Sequence, residues 1–175
     1  MNFRDLDARA STGMAVLIKG RSHGLNALIQ LFTRSEYTHA GLLIRLGGML
    51  FLAEMGAGGN HLVPLERYDD VPFDLYHAPV GNDPHGQDLW PLFILESQRE
   101  QIRYDFMDLV RIALNNLLRL KLPRTDRGGL VCSAYVAKVF TDAGWQPPAS
   151  MPSIPSPAAL AAALGGVPVA SFQPA

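Results

Sequence analysis

Apolar residues recur along this chain at two different spacings, and the change between them falls near its middle. Residues 13–20, GMAVLIKG, form a short apolar run between glycines, the pattern of a buried strand. Leu25, Leu28, Ile29 and Phe32 in LNALIQLFTR then recur at helical spacing and predict a short helix that packs on the sheet. THAGLLIRL and MLFLAEMG are two strand-like runs separated by Gly47 and Gly48, and a Gly-Gly pair between apolar runs predicts a hairpin. GAGGNH reads as a loop, LVPLERY and FDLYHAPV as further short strands, and GNDPHGQD as a second loop, from its Gly, Asn, Asp and Pro. The first half is therefore mostly β.

In the second half the spacing becomes three and four. WPLFILESQREQIRYDFMDLVRIALNNLLRLKLP predicts two helices broken near Tyr104 and ended by Pro123. RTDRGGLVCSAYVAKVFTDAGW predicts a glycine-opened helix over about Leu130 to Ala143, stopped by Gly144. The Pro- and Ala-rich tail from about residue 147 is expected to wrap the surface, with one short helix around Ala158 to Leu164. No repeats are present, and one domain spanning residues 1–175 is the simplest organisation.

Composition narrows the function. Hydrophobic residues make up 48% and charged residues 18%, an ordinary globular balance. A net charge of -1 gives no basic surplus of the kind phosphate backbones require, so nucleic acid is excluded as a partner. The N-terminus carries charges of both signs without an apolar core, so no secretory signal is expected. No run approaches the roughly 20 apolar residues of a membrane span. A soluble, cytoplasmic protein is the default expectation, with a phage, a lysis event or a partner as the route by which it would leave the cell. The basic, leucine-rich DLVRIALNNLLRLKLP offers membrane-surface contact as an alternative to packing in the core.

A single cysteine, Cys132, cannot form an internal disulfide or a cysteine zinc site, so any chemistry it has is that of its own thiol. In the predicted helix it shares a face with Tyr135, Val136, Val139 and Ala143, while Ser133, Lys138, Thr141 and Asp142 fall elsewhere. It also lies in the first turn, where unpaired N–H groups and the helix dipole favour a thiolate. The plainer alternative is a cysteine that fills core volume.

His39 and Glu54 lie on the two arms of the predicted hairpin. A Gly47-Gly48 loop pairs Gly41 with Glu54 and puts His39 on their face; a Leu46-Gly47 loop sets His39 opposite Glu54; a three-residue loop separates them. In the first two registers the side chains lie roughly 5 to 8 Å apart. A carboxylate so placed orients an imidazole and fixes its tautomer, and the histidine gives the charge in an apolar strand its reason. The alternative is a polar hairpin edge facing water.

These stretches resemble a family. SEYTHAGLLI is similar to the histidine strand of the circularly permuted NlpC-like, papain-fold cysteine hydrolases of the YiiX type, and LFLAEMGAGGNHLVPLERY to their next strand, acidic residue and loop. YDFMDLV, VCSAYVAKVFTDAGWQPP and PSIPSPAALAA resemble the tyrosine-aspartate helix start, the cysteine helix and the proline-rich closing segment, so that the likeness runs from about Thr12 to Leu164. The order His, acid, Cys is the permuted one.

The resemblance implies an α+β, permuted papain-like fold in which a small antiparallel sheet packs on the cysteine helix. It implies Cys132 as nucleophile, His39 as general base and acid, and Glu54 as the residue orienting His39. Backbone N–H groups at the start of the cysteine helix, with Tyr37 as a further contributor, would meet the oxyanion. The expected activity is that of a thiol peptidase or amidase, with peptidoglycan stem peptides as the family's substrate class. Lecithin retinol acyltransferase-like proteins resemble the same fold and act on acyl esters, and an inactive binding module would keep the fold with an unreactive thiol. VCSAYV stands where the acyltransferase group has an asparagine before the cysteine, which favours the hydrolases. Met14 stands where the family places an acidic residue in the first strand.

Other motifs are thinner. Ser22, Ser35 and Ser133 lack a G-x-S-x-G setting, and GAGGN lacks the Lys and Ser/Thr of a P-loop. His77, Asp83, His85 and Asp88 lack metal-ligand spacing, so neither a metal nor a cofactor is expected. His23 and His61 read as solvated loop residues.

Overall fold

The computed structural model describes residues 5–6, 8–20, 35–56, 58–80, 90–100, 103–104 and 129–174. The helix expected around Leu25 to Phe32, the basic leucine-rich segment, and Asp83, His85 and Asp88 lie outside them.

Six antiparallel strands form the main sheet: β1 (Ala15–Lys19), β2 (Tyr37–Leu46), β3 (Met49–Gly56), β4 (Gly59–Pro64), β5 (Phe73–Tyr76) and β6 (Ala170–Phe172). Their order across the sheet is β4-β3-β2-β1-β5-β6. Among the described residues, the helices α1 (Trp90–Arg99), α2 (Cys132–Asp142) and α3 (Pro157–Ala163) accompany the sheet in an α+β fold, with a short parallel pair joining Arg103–Tyr104 to Gly129–Leu130.

Alternation along the strands builds two apolar layers. Ala15, Leu17, Ala40, Leu42, Ile44, Ala53 and Met55 face the helices, and α2 supplies Tyr135, Val136, Val139 and Phe140 to that core. Val16, Ile18, Leu43, Leu52, Val63 and Leu75 face the other way, where Leu6, Ala10 and Leu65 cover them. Because α2 is enclosed by the sheet and by α1 and α3, Ser133 is buried along with the expected apolar face, its hydroxyl donating to the Pro155 carbonyl at 2.6 Å.

Two expectations about the chain's organisation are corrected. LVPLERY is half strand and half 3-10 helix (Leu65–Tyr68), the change falling just after Pro64, whose missing N–H suits the end of a ladder. The tail does more than wrap the surface: Ala170–Phe172 pairs with β5 and Phe172 stacks on Phe73 with ring centroids 4.8 Å apart. Ser156 caps α3 by accepting the Ala159 N–H at 3.2 Å, and Pro157 occupies its first turn.

Gly13 shows how tightly α1 meets the sheet. Its φ is +90°, and a Cβ there would lie 2.4 Å from the Trp90 ring. Gly13→Ala combines a left-handed conformation with overpacking and is expected to cost about 2 kcal/mol or more. Urea unfolding measures it; coincident midpoints for the two proteins would mean the contact relaxes freely.

Candidate functional site

The hairpin forms with Gly47 and Gly48 at φ +57° and +84°, values a two-residue turn of this hand needs and glycine adopts without strain. Gly41 pairs with Glu54 in consequence, and His39, two residues along, shares their face. His39 Nε2 lies 2.8 Å from Glu54 Oε2. Of the registers open to the sequence, this is the first.

The β2–β3 ladder ends at that pair, although β2 continues beside β1 to Tyr37 and β3 beside β4 to Gly56. The two strands therefore part, and the N-terminus of α2 meets the opening. The backbone N–H groups of Ala40, one residue beyond the last pair, and of Ser133, in the helix's first turn, favour the thiolate form of Cys132. Glu54 takes Nε2 and leaves Nδ1 of His39 as the nitrogen open to other partners, and His39 and Cys132 interact electrostatically, each shifting the other's titration. Val131 precedes Cys132 in an extended conformation and supplies no side-chain cap, so the helix's first N–H groups stay available to the site.

Charge follows from this arrangement. Burial opposes the Cys132 thiolate, but the His39 charge and hydrogen bond and the two backbone N–H groups outweigh it, and the thiol is held below its ordinary value. Burial likewise opposes an imidazolium at His39, and the Cys132 charge and the bonds to Cys132 and Glu54 raise it well above the usual histidine range. Both shifts favour a thiolate–imidazolium pair. Glu54, 6% exposed, pays for burial too, yet the His39 bond and charge, the Tyr68 hydroxyl and His61 hold its carboxyl below the usual range. Tyr68 donates to Glu54 Oε2 at 2.6 Å, and burial followed by that bond raises its phenol and keeps it a donor.

Tyr37 sits differently from its neighbours. Ile18 is opposite His39 and Lys19 opposite Tyr37, so Thr38 is an extra residue in β2. Such a bulge reverses the alternation of side chains. Tyr37 accordingly packs toward the helix-side core, donates its hydroxyl proton to Asp74 and lies 3.0 Å from the Tyr76 hydroxyl. Burial and the Asp74 bond raise its phenol strongly. Its one proton is directed at Asp74.

His61 is a correction to the sequence reading. It lies in β4, opposite Glu54, with Nε2 3.2 Å from Glu54 Oε1. The signal was available in the hairpin spacing once β4 is recognised, but GAGGNH reads as a loop because four of its six residues are Gly or Asn. Lys19 and Asp74, which hold Tyr37, also went unsingled in the sequence. His77 is exposed, and among the described residues no group of three or more His, Cys, Asp or Glu is arranged to hold a metal ion. Among the same residues no helix is long and apolar enough to cross a membrane.

No family model matches the chain, and no curated protein matches it. A solved structure, that of the metalloprotein yiiX from Escherichia coli O157:H7, is similar to it at 18% identity and a TM-score of 0.47, over 77% of this chain and 66% of that one. The chain thus spans just under two thirds of that protein's length, and a likeness at this level transfers neither activity nor ligand.

Proposed function

We propose that this chain is a cysteine hydrolase on a permuted papain-like fold, acting on an amide or ester carbonyl through Cys132, His39 and Glu54. The observation that carries the reading is a histidine bonded through one nitrogen to a buried glutamate and coupled in charge to the chain's single cysteine, which begins a helix.

In this reading the Cys132 thiolate attacks the carbonyl carbon and the C=O electron pair moves to oxygen. That oxyanion is met by backbone N–H groups at the start of α2, including that of Cys132. The imidazolium of His39 gives its proton to the leaving amine or alcohol as the C–N or C–O bond breaks, leaving a thioacyl enzyme. Neutral His39 then takes a proton from water, hydroxide attacks the thioester, and the thiolate is released. Glu54 stabilises the imidazolium and fixes the ring so that Nδ1 points at sulfur. Peptidoglycan stem peptides are the substrate class suggested by the sequence resemblance.

An activated acyl ester tests this without knowledge of the natural substrate. Incubation with p-nitrophenyl acetate is expected to release a burst of nitrophenol and leave an acetyl group on Cys132, detectable by mass spectrometry, and Cys132→Ala is expected to show neither. A wild-type protein without the adduct would support an inactive module instead. Turnover of phospholipid esters in preference to peptide amides would move the assignment to the acyltransferase-like alternative.

A further inference from the structure

We infer that His61 is a positioning residue for the site, holding the second carboxylate oxygen of Glu54 so that the first faces His39; this rests on the hydrolase reading above. Glu54 Oε2 receives His39 and Tyr68, while Oε1 faces His61 Nε2 at 3.2 Å. A carboxylate gripped through one oxygen alone can rotate about its last bond, and a donor on the other oxygen removes that freedom. The ring of His61 is itself fixed. Its Nδ1 lies 3.0 Å from the Gly59 carbonyl oxygen.

Gly56 gives the independent observation. It is the last residue of β3, and a Cβ on it would lie 2.7 Å from His61 Cε1. The imidazole therefore occupies the space that the missing side chain leaves. His61 remains 43% exposed in its side chain, so the fold does not depend on it, and a contribution to stability alone would be small.

The test compares His61→Ala, His61→Gln and Gly56→Ala with the wild type in the pH profile of Cys132 alkylation by iodoacetamide and in ester hydrolysis. His61→Ala is expected to raise the pH at which Cys132 begins to react and to lower kcat roughly two- to fivefold with KM unchanged, the scale of one partly exposed contact between oppositely charged groups. Glutamine keeps a donor within reach of Oε1 and is expected to restore most of both. Gly56→Ala, by displacing the ring, should reproduce His61→Ala, and the double variant should lose no more than either alone. His61→Ala indistinguishable from wild type overturns the inference, as does a glutamine variant no better than alanine. If wild-type Cys132 itself titrates as a free thiol, the hydrolase reading falls and this inference with it; if it titrates low and all three variants match it, only this inference falls.

Discussion

Replacing His39 with alanine is expected to move the pH dependence of Cys132 alkylation upward by at least about one unit, from below the ~8.5 of a free thiol to that value or above it. Four influences act on the sulfur: burial raises its titration, while His39, the Ala40 N–H and the Ser133 N–H lower it. The variant keeps the two backbone donors and the helix dipole but loses the cation, so burial prevails. The position of the inflection is the readout rather than the rate at one pH, because a more basic thiolate is intrinsically more nucleophilic, with a Brønsted slope of about 0.4–0.5. Only one cysteine can react, so each profile belongs to one atom.

Under the proposed hydrolase mechanism, hydrolysis should respond more steeply, since the same substitution would remove the proton donor to the leaving group; a loss of roughly 10⁴-fold is expected from triads dissected one member at a time. The sign of each shift also sets the shape of the wild-type profile. Activity rises as the pair forms, below the ordinary thiol range because Cys132 is lowered, and falls above the ordinary histidine range because His39 is raised. A broad bell is the expected form. Identical alkylation profiles for wild type and His39→Ala would reduce the two residues to neighbours in the core.

What the sequence carries and what it conceals divide along the range of the interaction. The hairpin turn is local: two glycines in left-handed conformations fix a loop of two, the loop fixes Gly41 opposite Glu54, and period-two alternation then places His39 beside it. Helix α2 is local too, and its observed span, Cys132–Asp142, falls within the one expected from its apolar spacing and Gly144. Its burial on more than one face is not local, because it depends on α1 and α3 closing over it. The bulge at Thr38 leaves no mark in the hydrophobic pattern, so Tyr37 and His39, both two-period neighbours in sequence, end on opposite faces. Strand β6 is three residues drawn from a Pro- and Gly-rich tail, and only its partner β5 makes it a strand. The opening between β2 and β3 that admits the cysteine is a property of where two ladders stop, which no single stretch encodes.

The bulge has its own anchor, and breaking that anchor is expected to give the largest loss of stability. Asp74 is 2% exposed on β5, its Oδ2 lies 3.1 Å from Lys19 Nζ and receives the Tyr37 hydroxyl, and among the described residues its Oδ1 has no hydrogen-bond partner. Lys19 is the β1 residue opposite Tyr37, at the bulge itself, so one ion pair ties β5, β1 and the displaced end of β2 together. Lys19→Met keeps much of the side chain's bulk but leaves a buried carboxylate with a single donor, and a cost of about 3–5 kcal/mol is expected at neutral pH in urea unfolding. Asp74→Asn combined with Lys19→Met removes both charges and is expected to recover a large part of that loss, since replacing a buried pair costs far less than orphaning one member. A single substitution costing under about 1 kcal/mol would assign the pair the weight of an exposed surface bridge. In that case the bulge must be held by the Thr38 hydroxyl on the Ile18 carbonyl and by the close approach of Thr38 to Gly20. Because Tyr37 and His39 flank Thr38, a bulge released by Lys19→Met should also blunt the Cys132 alkylation profile, which couples this remote ion pair to the thiol through the direction of one histidine.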